Sequence, residues 1–167
     1  MTFSGNQGGT DAGDGLGSKG GAVFVRDGVV NIIGGSFTKN DAAHGGAIWG
    51  DSSASLTLTG VAFSGNVATN DGGAVAASSI DTPQGERRTS FTGDTADIGG
   101  AIAINSSTQL LVENASFTRT SATTSGGAVA VSYTTTLSKV ADSTLRTSKA
   151  ATPSMSAATP TAWTSWG

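Results

Sequence analysis

Apolar and polar residues alternate along short stretches of this chain. Val23 and Val25, Ile102 and Ile104, and Val129 and Val131 each stand two apart, with Phe24, Ala103 and Ala130 between them. Such a period puts the first set on one face of a strand and the second on the other. A second alternating stretch follows in each case. Val30 and Ile32 precede Phe37; Leu56, Leu58 and Val61 precede Phe63; Leu110, Val112 and Ala115 precede Phe117. No stretch carries an apolar stripe at helical spacing, and the abundant Gly, Thr, Ser and Val are weaker helix formers than Ala or Leu. The pattern predicts two or three short strands per unit, separated by turns.

The units repeat. A diglycine followed by Ala and a β-branched residue occurs at Gly20-Gly21, Gly45-Gly46, Gly72-Gly73, Gly99-Gly100 and Gly126-Gly127, at spacings of 25, 27, 27 and 27 residues. Phe37, Phe63, Phe91 and Phe117 keep step with it, and Phe3 heads the series. A unit this short cannot bury its own apolar face, so neighbours must stack, which makes parallel sheets winding around a common core. The expected fold is therefore all-β, a parallel β-helix of five to six coils, rising by roughly 4.8 Å per coil. In it the inward Phe residues form one ladder and the Val and Ile residues another.

Gly reaches positive φ without steric strain, so the diglycines are expected at tight corners. Three residues after each Phe comes a polar residue: Asn6, Asn40 and Asn66, then Asp94 and Thr120. Asn tolerates the left-handed region and bonds neighbouring backbone, which predicts a short amide ladder through Asn40 and Asn66 at a second corner.

Composition narrows the function classes. Leu, Ile, Val and Phe together number 31 of 167 residues, as low as in disordered chains, but the net charge is only -3, so half the disorder signature is missing. With no cysteine there is no disulfide framework, zinc knuckle or thiol nucleophile. A slightly acidic chain without a basic block offers no footprint for nucleic acid. No apolar run approaches the roughly 20 residues of a membrane span, and Met1-Thr-Phe-Ser-Gly-Asn6 does not read as a signal peptide.

Breaks in the repeat are where function is sought. Asp11 and Asp14 among glycines carry calcium-type ligands, but one such stretch without a repeating nonapeptide reads as a surface loop. In the third unit Asp81-Thr-Pro-Gln-Gly-Glu-Arg-Arg88 stands where others place a strand. Its Asp81, Glu86, Arg87 and Arg88 could form a hydrolase or lyase constellation, but an extruded loop does not hold two carboxyls at a defined separation. His44 precedes a diglycine at a position held elsewhere by Lys19, Asp71, Ile98 and Ser125, a variety that reads as a turn of little constraint. Asn105 and Asn114 match the glycosylation sequon, relevant only to an exported eukaryotic chain. Phe24 and Trp49 are expected to face outward on adjacent coils, continued by a shelf of Ala76, Ala103 and Ala130, where they either touch a sugar ring or a partner side chain or are buried under the long N-terminal loop. Residues 1-149 are expected to form the solenoid, a piece of a longer one. Residues 150-167, rich in Ala, Thr, Ser and Pro, form a disordered or capping tail.

The alternation of GGA[IV] with FxxN resembles the repeats of the polymorphic membrane protein family, bacterial surface proteins whose repeat region is an autotransporter passenger. Phe3-Ser-Gly-Asn6, Phe37-Thr-Lys-Asn40 and Phe63-Ser-Gly-Asn66 fit FxxN in full, while Phe91-Thr-Gly-Asp94 and Phe117-Thr-Arg-Thr120 depart at the last position. The match runs over residues 3 to about 131. The resemblance implies a right-handed helix, with the general handedness of parallel crossovers behind it. It also implies a secreted or surface-displayed, outer-membrane-associated and non-enzymatic protein with an adhesin-like role and no cofactor, metal or catalytic residue. The partners expected are a surface glycan or a host or cell-surface protein, with no nucleic acid and no direct membrane span. End-to-end self-association through open coils is a further route. The alternatives are a pectin-lyase-like, polysaccharide-active enzyme, since that fold hosts lyases and hydrolases, and a purely structural spacer.

Overall fold

The structure is a computed structural model that describes residues 1–9, 17–83, 87–132, 137–141, 144–146 and 149–150. The chain opens with β1 (Thr2–Ser4) and then winds through four full turns of three strands each. These are β2 (Val23–Ile33), β3 (Ser36–Thr38) and β4 (Asp41–His44); β5 (Ile48–Thr59), β6 (Ala62–Ser64) and β7 (Val67–Asp71); β8 (Val75–Thr82), β9 (Thr89–Thr92) and β10 (Thr95–Ile98); and β11 (Ile102–Glu113), β12 (Ala115–Thr118) and β13 (Ser121–Ser125). After them β14 (Val129–Ser132), β15 (Leu137–Ala141), β16 (Thr144–Arg146) and β17 (Lys149–Ala150) extend the stack. Equivalent strands pair in parallel to form three sheets, in the orders β1-β3-β6-β9-β12-β16, β4-β7-β10-β13-β17 and β2-β5-β8-β11-β14, with β15 also on β11. The protein is an all-β parallel solenoid. Its four full turns, with partial coils at each end, replace the expected five to six.

Each repeat element takes its place for a physical reason. Phe37, Phe63, Phe91 and Phe117 are buried and stack in register with ring centroids 4.9 to 5.1 Å apart and planes within 12° of parallel, and Phe3 begins the column 4.8 Å from Phe37. The strand spacing imposes that distance, so rings at one position in successive turns must stack. Ile48, Leu56, Leu58, Ile80, Ile102, Ile104, Leu110 and Val112 complete the core.

The two glycines of each corner do different work. Gly45 and Gly72 have φ of +58° and +63°, which side-chain-bearing residues adopt at a cost, and their partners Gly46 and Gly73 lie against the next turn. A Cβ on Gly73 would stand 2.1 Å from the carbonyl oxygen of Gly100, so only hydrogen fits between coils there.

The second corner departs from expectation in an informative way. The left-handed residue there is not the Asn but the one before it: Gly5, Lys39, Gly65, Gly93 and Arg119 all have positive φ. Asn40 and Asn66 instead point inward, fully buried. Asn6 Nδ2 donates to Asn40 Oδ1 (2.8 Å), Asn40 Nδ2 to Asn66 Oδ1 (2.9 Å) and Asn66 Nδ2 to Asp94 Oδ1 (2.8 Å). The ladder is therefore longer than the pair of asparagines that defined it in the sequence.

Three further differences concern strands. The two alternating stretches of a unit merge into one strand in β2, β5 and β11, whose pairing absorbs an irregularity between Val25 and Asp27 and between Trp49 and Ser55. The strands after each polar corner, β4, β7, β10 and β13, carry one buried residue apiece in Ala42, Ala68, Ala96 and Ala122. The third unit also keeps its strand: Ile80 and Thr82 of β8 are buried, and Ile80 pairs with Leu56 and Leu110. Thr82 Oγ1 donates to the Glu113 carbonyl at 2.9 Å and accepts from its N–H at 3.0 Å. Asp81 and Thr82 thus belong to a strand, and the loop is confined to the residues between Pro83 and Arg88, of which 84–86 lie outside the described set.

Candidate functional site

Parallel stacking turns each repeat position into a column, and two columns flank the diglycine corner. The residues before it, Lys19, His44, Asp71, Ile98 and Ser125, pair rung to rung. Those five positions later, Phe24, Trp49, Ala76, Ala103 and Ala130, do the same. Lys19, His44 and Asp71 of the first column and Trp49 and Ala76 of the second line one open cleft of about 420 Å³, together with Asp51 and Ser78.

Phe24 and Trp49 stack with centroids 5.0 Å apart and planes 4° from parallel. Phe24 is 47% exposed and Trp49 half-buried, as their outward placement requires. The stack ends at Trp49, because the next rung carries Ala76. Of the small-residue shelf, Ala76 and Ala103 are 1% and 0% exposed, whereas Ala130 is half-buried.

The other column supplies the polar chemistry. His44 Nδ1 is hydrogen-bonded to the Asp71 carboxylate, and His44 Nε2 lies 3.2 Å from Asn70 Nδ2. A neutral imidazole that donates from Nδ1 to the carboxylate and accepts from the amide at Nε2 satisfies both contacts. Lys19 Nζ stands 5.2 Å from the Trp49 ring centroid, within cation–π range. His44 is thus no indifferent turn residue. Variety along a column looked like lack of constraint, whereas neighbours of different chemistry are what a parallel stack can pair. The fixed offset of five residues between the two columns was the available signal.

The other candidates fall elsewhere. The glycines from Gly20 to Gly127, with Asn6, Asn40 and Asn66, form the corners, and Phe37, Phe63, Phe91 and Phe117 the core ladder. Arg87 and Arg88 are exposed beside the loop; Asp11, Asp14 and Glu86 lie outside the described residues. Burial, and secondarily the charge of Glu113, raises the Asp81 carboxyl above its ordinary value. Among the described residues no cluster of three or more His, Cys, Asp or Glu side chains forms a metal site, and no helix is long and apolar enough to cross a membrane.

The fold and its corner chemistry define a repeat-built parallel β-solenoid. Residues 60–78, which contain Phe63-Ser-Gly-Asn66 and the Gly72-Gly73 corner, match the Chlamydia polymorphic membrane protein repeat. No curated protein and no solved structure matches the chain. The repeat and the solenoid together fit a surface-displayed, autotransporter-passenger-like protein.

Proposed function

We propose that this chain is a non-enzymatic, adhesin-like segment of an extracellular or outer-membrane-associated surface protein. It holds a surface glycan or a cell-surface protein against the Phe24–Trp49 stack. The observation that carries the reading is a pre-stacked aromatic pair, Phe24 exposed and Trp49 half-buried, of which Trp49 lines a cleft that also carries polar side chains. Rigid aromatic area anchors partners because little side-chain freedom is lost on contact.

The polysaccharide-active alternative needs two carboxyls at a defined separation about a bound ring. In the cleft, Asp71 is engaged by His44, Asp51 is the other carboxylate of the lining, and the raised carboxyl of Asp81 lies outside it. The test is to probe arrays of glycans and cell-surface proteins with the whole chain, and pectin and alginate with the same preparation. Retention without cleavage, weakened by Trp49→Ala, is expected. Cleavage abolished by Asp81→Asn would replace this reading with the enzymatic one.

A further inference from the structure

Resting on that reading, we infer that the cleft beside Trp49 takes a pyranose ring of an uncharged sugar, with Trp49 as its platform and Asp71, Asp51 and Lys19 as its hydroxyl partners. The Phe24–Trp49 stack stops one rung short of where the inner Phe column continues, because Ala76 follows Trp49 in register. A flat-faced ring packed on the indole would extend the series. The volume of about 420 Å³ lies within the roughly 300 to 1,000 Å³ typical of small-ligand sites.

The lining selects among ring-shaped ligands. The wall is mixed, with an apolar part from Trp49, Ala76 and Ala77 and a polar part from Lys19, His44, Asp51 and Asp71, which suits a ring that itself carries both kinds of surface. A sugar has an apolar CH face for the indole and a rim of hydroxyls that both donate and accept. The carboxylates of Asp51 and Asp71 accept from such hydroxyls, and Lys19 donates. Two carboxylates against one lysine disfavour uronates, sialylated sugars and phosphates by like-charge repulsion. His44 acts as a positioning residue: its ring, held by Asp71 and by Asn70 of the same strand, fixes the Asp71 carboxylate at the cleft wall.

Saturation-transfer NMR on the whole chain tests this. The probes are methyl glycosides and disaccharides of glucose, galactose and N-acetylglucosamine, set against glucuronate and N-acetylneuraminate. Transfer to the CH protons of at least one neutral sugar is expected. Affinity should fall about tenfold in Trp49→Ala, the scale of a lost ring stack, and survive in Trp49→Phe. Asp71→Asn should weaken binding, and Val29→Ser, at a distant exposed position, should leave it unchanged. Circular dichroism of each variant establishes that the fold is kept. Transfer that ignores Trp49→Ala, or a preference for the acidic sugars, overturns the inference. Trp49-dependent capture of a cell-surface protein with no sugar transfer also overturns it, while the adhesin reading stands. If nothing is held through Trp49, both fail.

Discussion

Asp94 is the point at which the inner ladder changes chemistry, and replacing it by Asn should stabilise the protein in a pH-dependent way. Its Oδ1 accepts from the backbone and side-chain amides of Asn66 at 2.9 and 2.8 Å, while its Oδ2 is buried without a partner. Burial pushes this carboxyl from 3.8 up to about 7, against the opposing pull of the hydrogen bonds from Asn66 and the Thr92 backbone. The folded state therefore holds the proton more tightly than the unfolded chain. The stability linked to Asp94 is fully present below pH 3.8 and is lost as pH rises to about 7. At about 1.4 kcal/mol per unit, the loss at pH 8 is about 4 kcal/mol. An amide at this position is neutral throughout. By analogy with Asn66, whose Nδ2 also donates to the Phe37 carbonyl at 3.1 Å, it can bond the turn before it. Urea unfolding followed by circular dichroism should show Asp94→Asn matching the wild type near pH 4 and exceeding it by up to about 4 kcal/mol at pH 8. A variant that tracks the wild type at every pH, or is weaker at pH 8, would refute a buried, destabilising carboxylate in the ladder.

Other expectations follow from packing. Phe91→Ala, which opens a hole in the middle of the ring column, should cost about 3 to 5 kcal/mol in the same assay, whereas Trp49→Ala should stay well below 3; a larger loss would move Trp49 into the core. Gly73→Ala should cost about 3 kcal/mol because its Cβ meets a carbonyl of the next coil, while Gly9→Ala, with nothing within 4 Å, should be neutral. Equal melting temperatures for the two would contradict the close approach of coils at this corner. Limited trypsin should cut first after the exposed Arg87 or Arg88, or near the chain ends. Early cuts after Arg26 or Lys39, both in or beside paired strands, would show that the coils are wrongly placed.

The architecture was legible because in-register stacking converts a sequence period directly into contacts. Phe37, Phe63, Phe91 and Phe117 recur at intervals of 26, 28 and 26 residues in the chain and form a column in space. The strands around Ala42, Ala68, Ala96 and Ala122 were not, since one buried alanine in a short stretch leaves no alternation to detect. Ile80 was concealed by the charged residues after Asp81 and by its spacing: it stands 8 residues after Gly72, whereas Leu56 stands 11 after Gly45, and only the register shift between Trp49 and Ser55 brings the two opposite. The outward aromatics were found because they are large and unusual. Their polar companions Lys19, His44 and Asp71 escaped, because pairing between unlike residues on successive rungs has no signature within any single unit.

Engagement of a surface partner through the outward aromatic column is tested by adhesion. Beads coated with the whole chain, or with Trp49→Ala or Val29→Ser variants shown to be folded, would be settled on cultured cells and counted after washing. Wild-type and Val29→Ser beads should remain at equal density while Trp49→Ala beads are removed. Equal retention of all three, or retention no greater than that of uncoated beads, would contradict it.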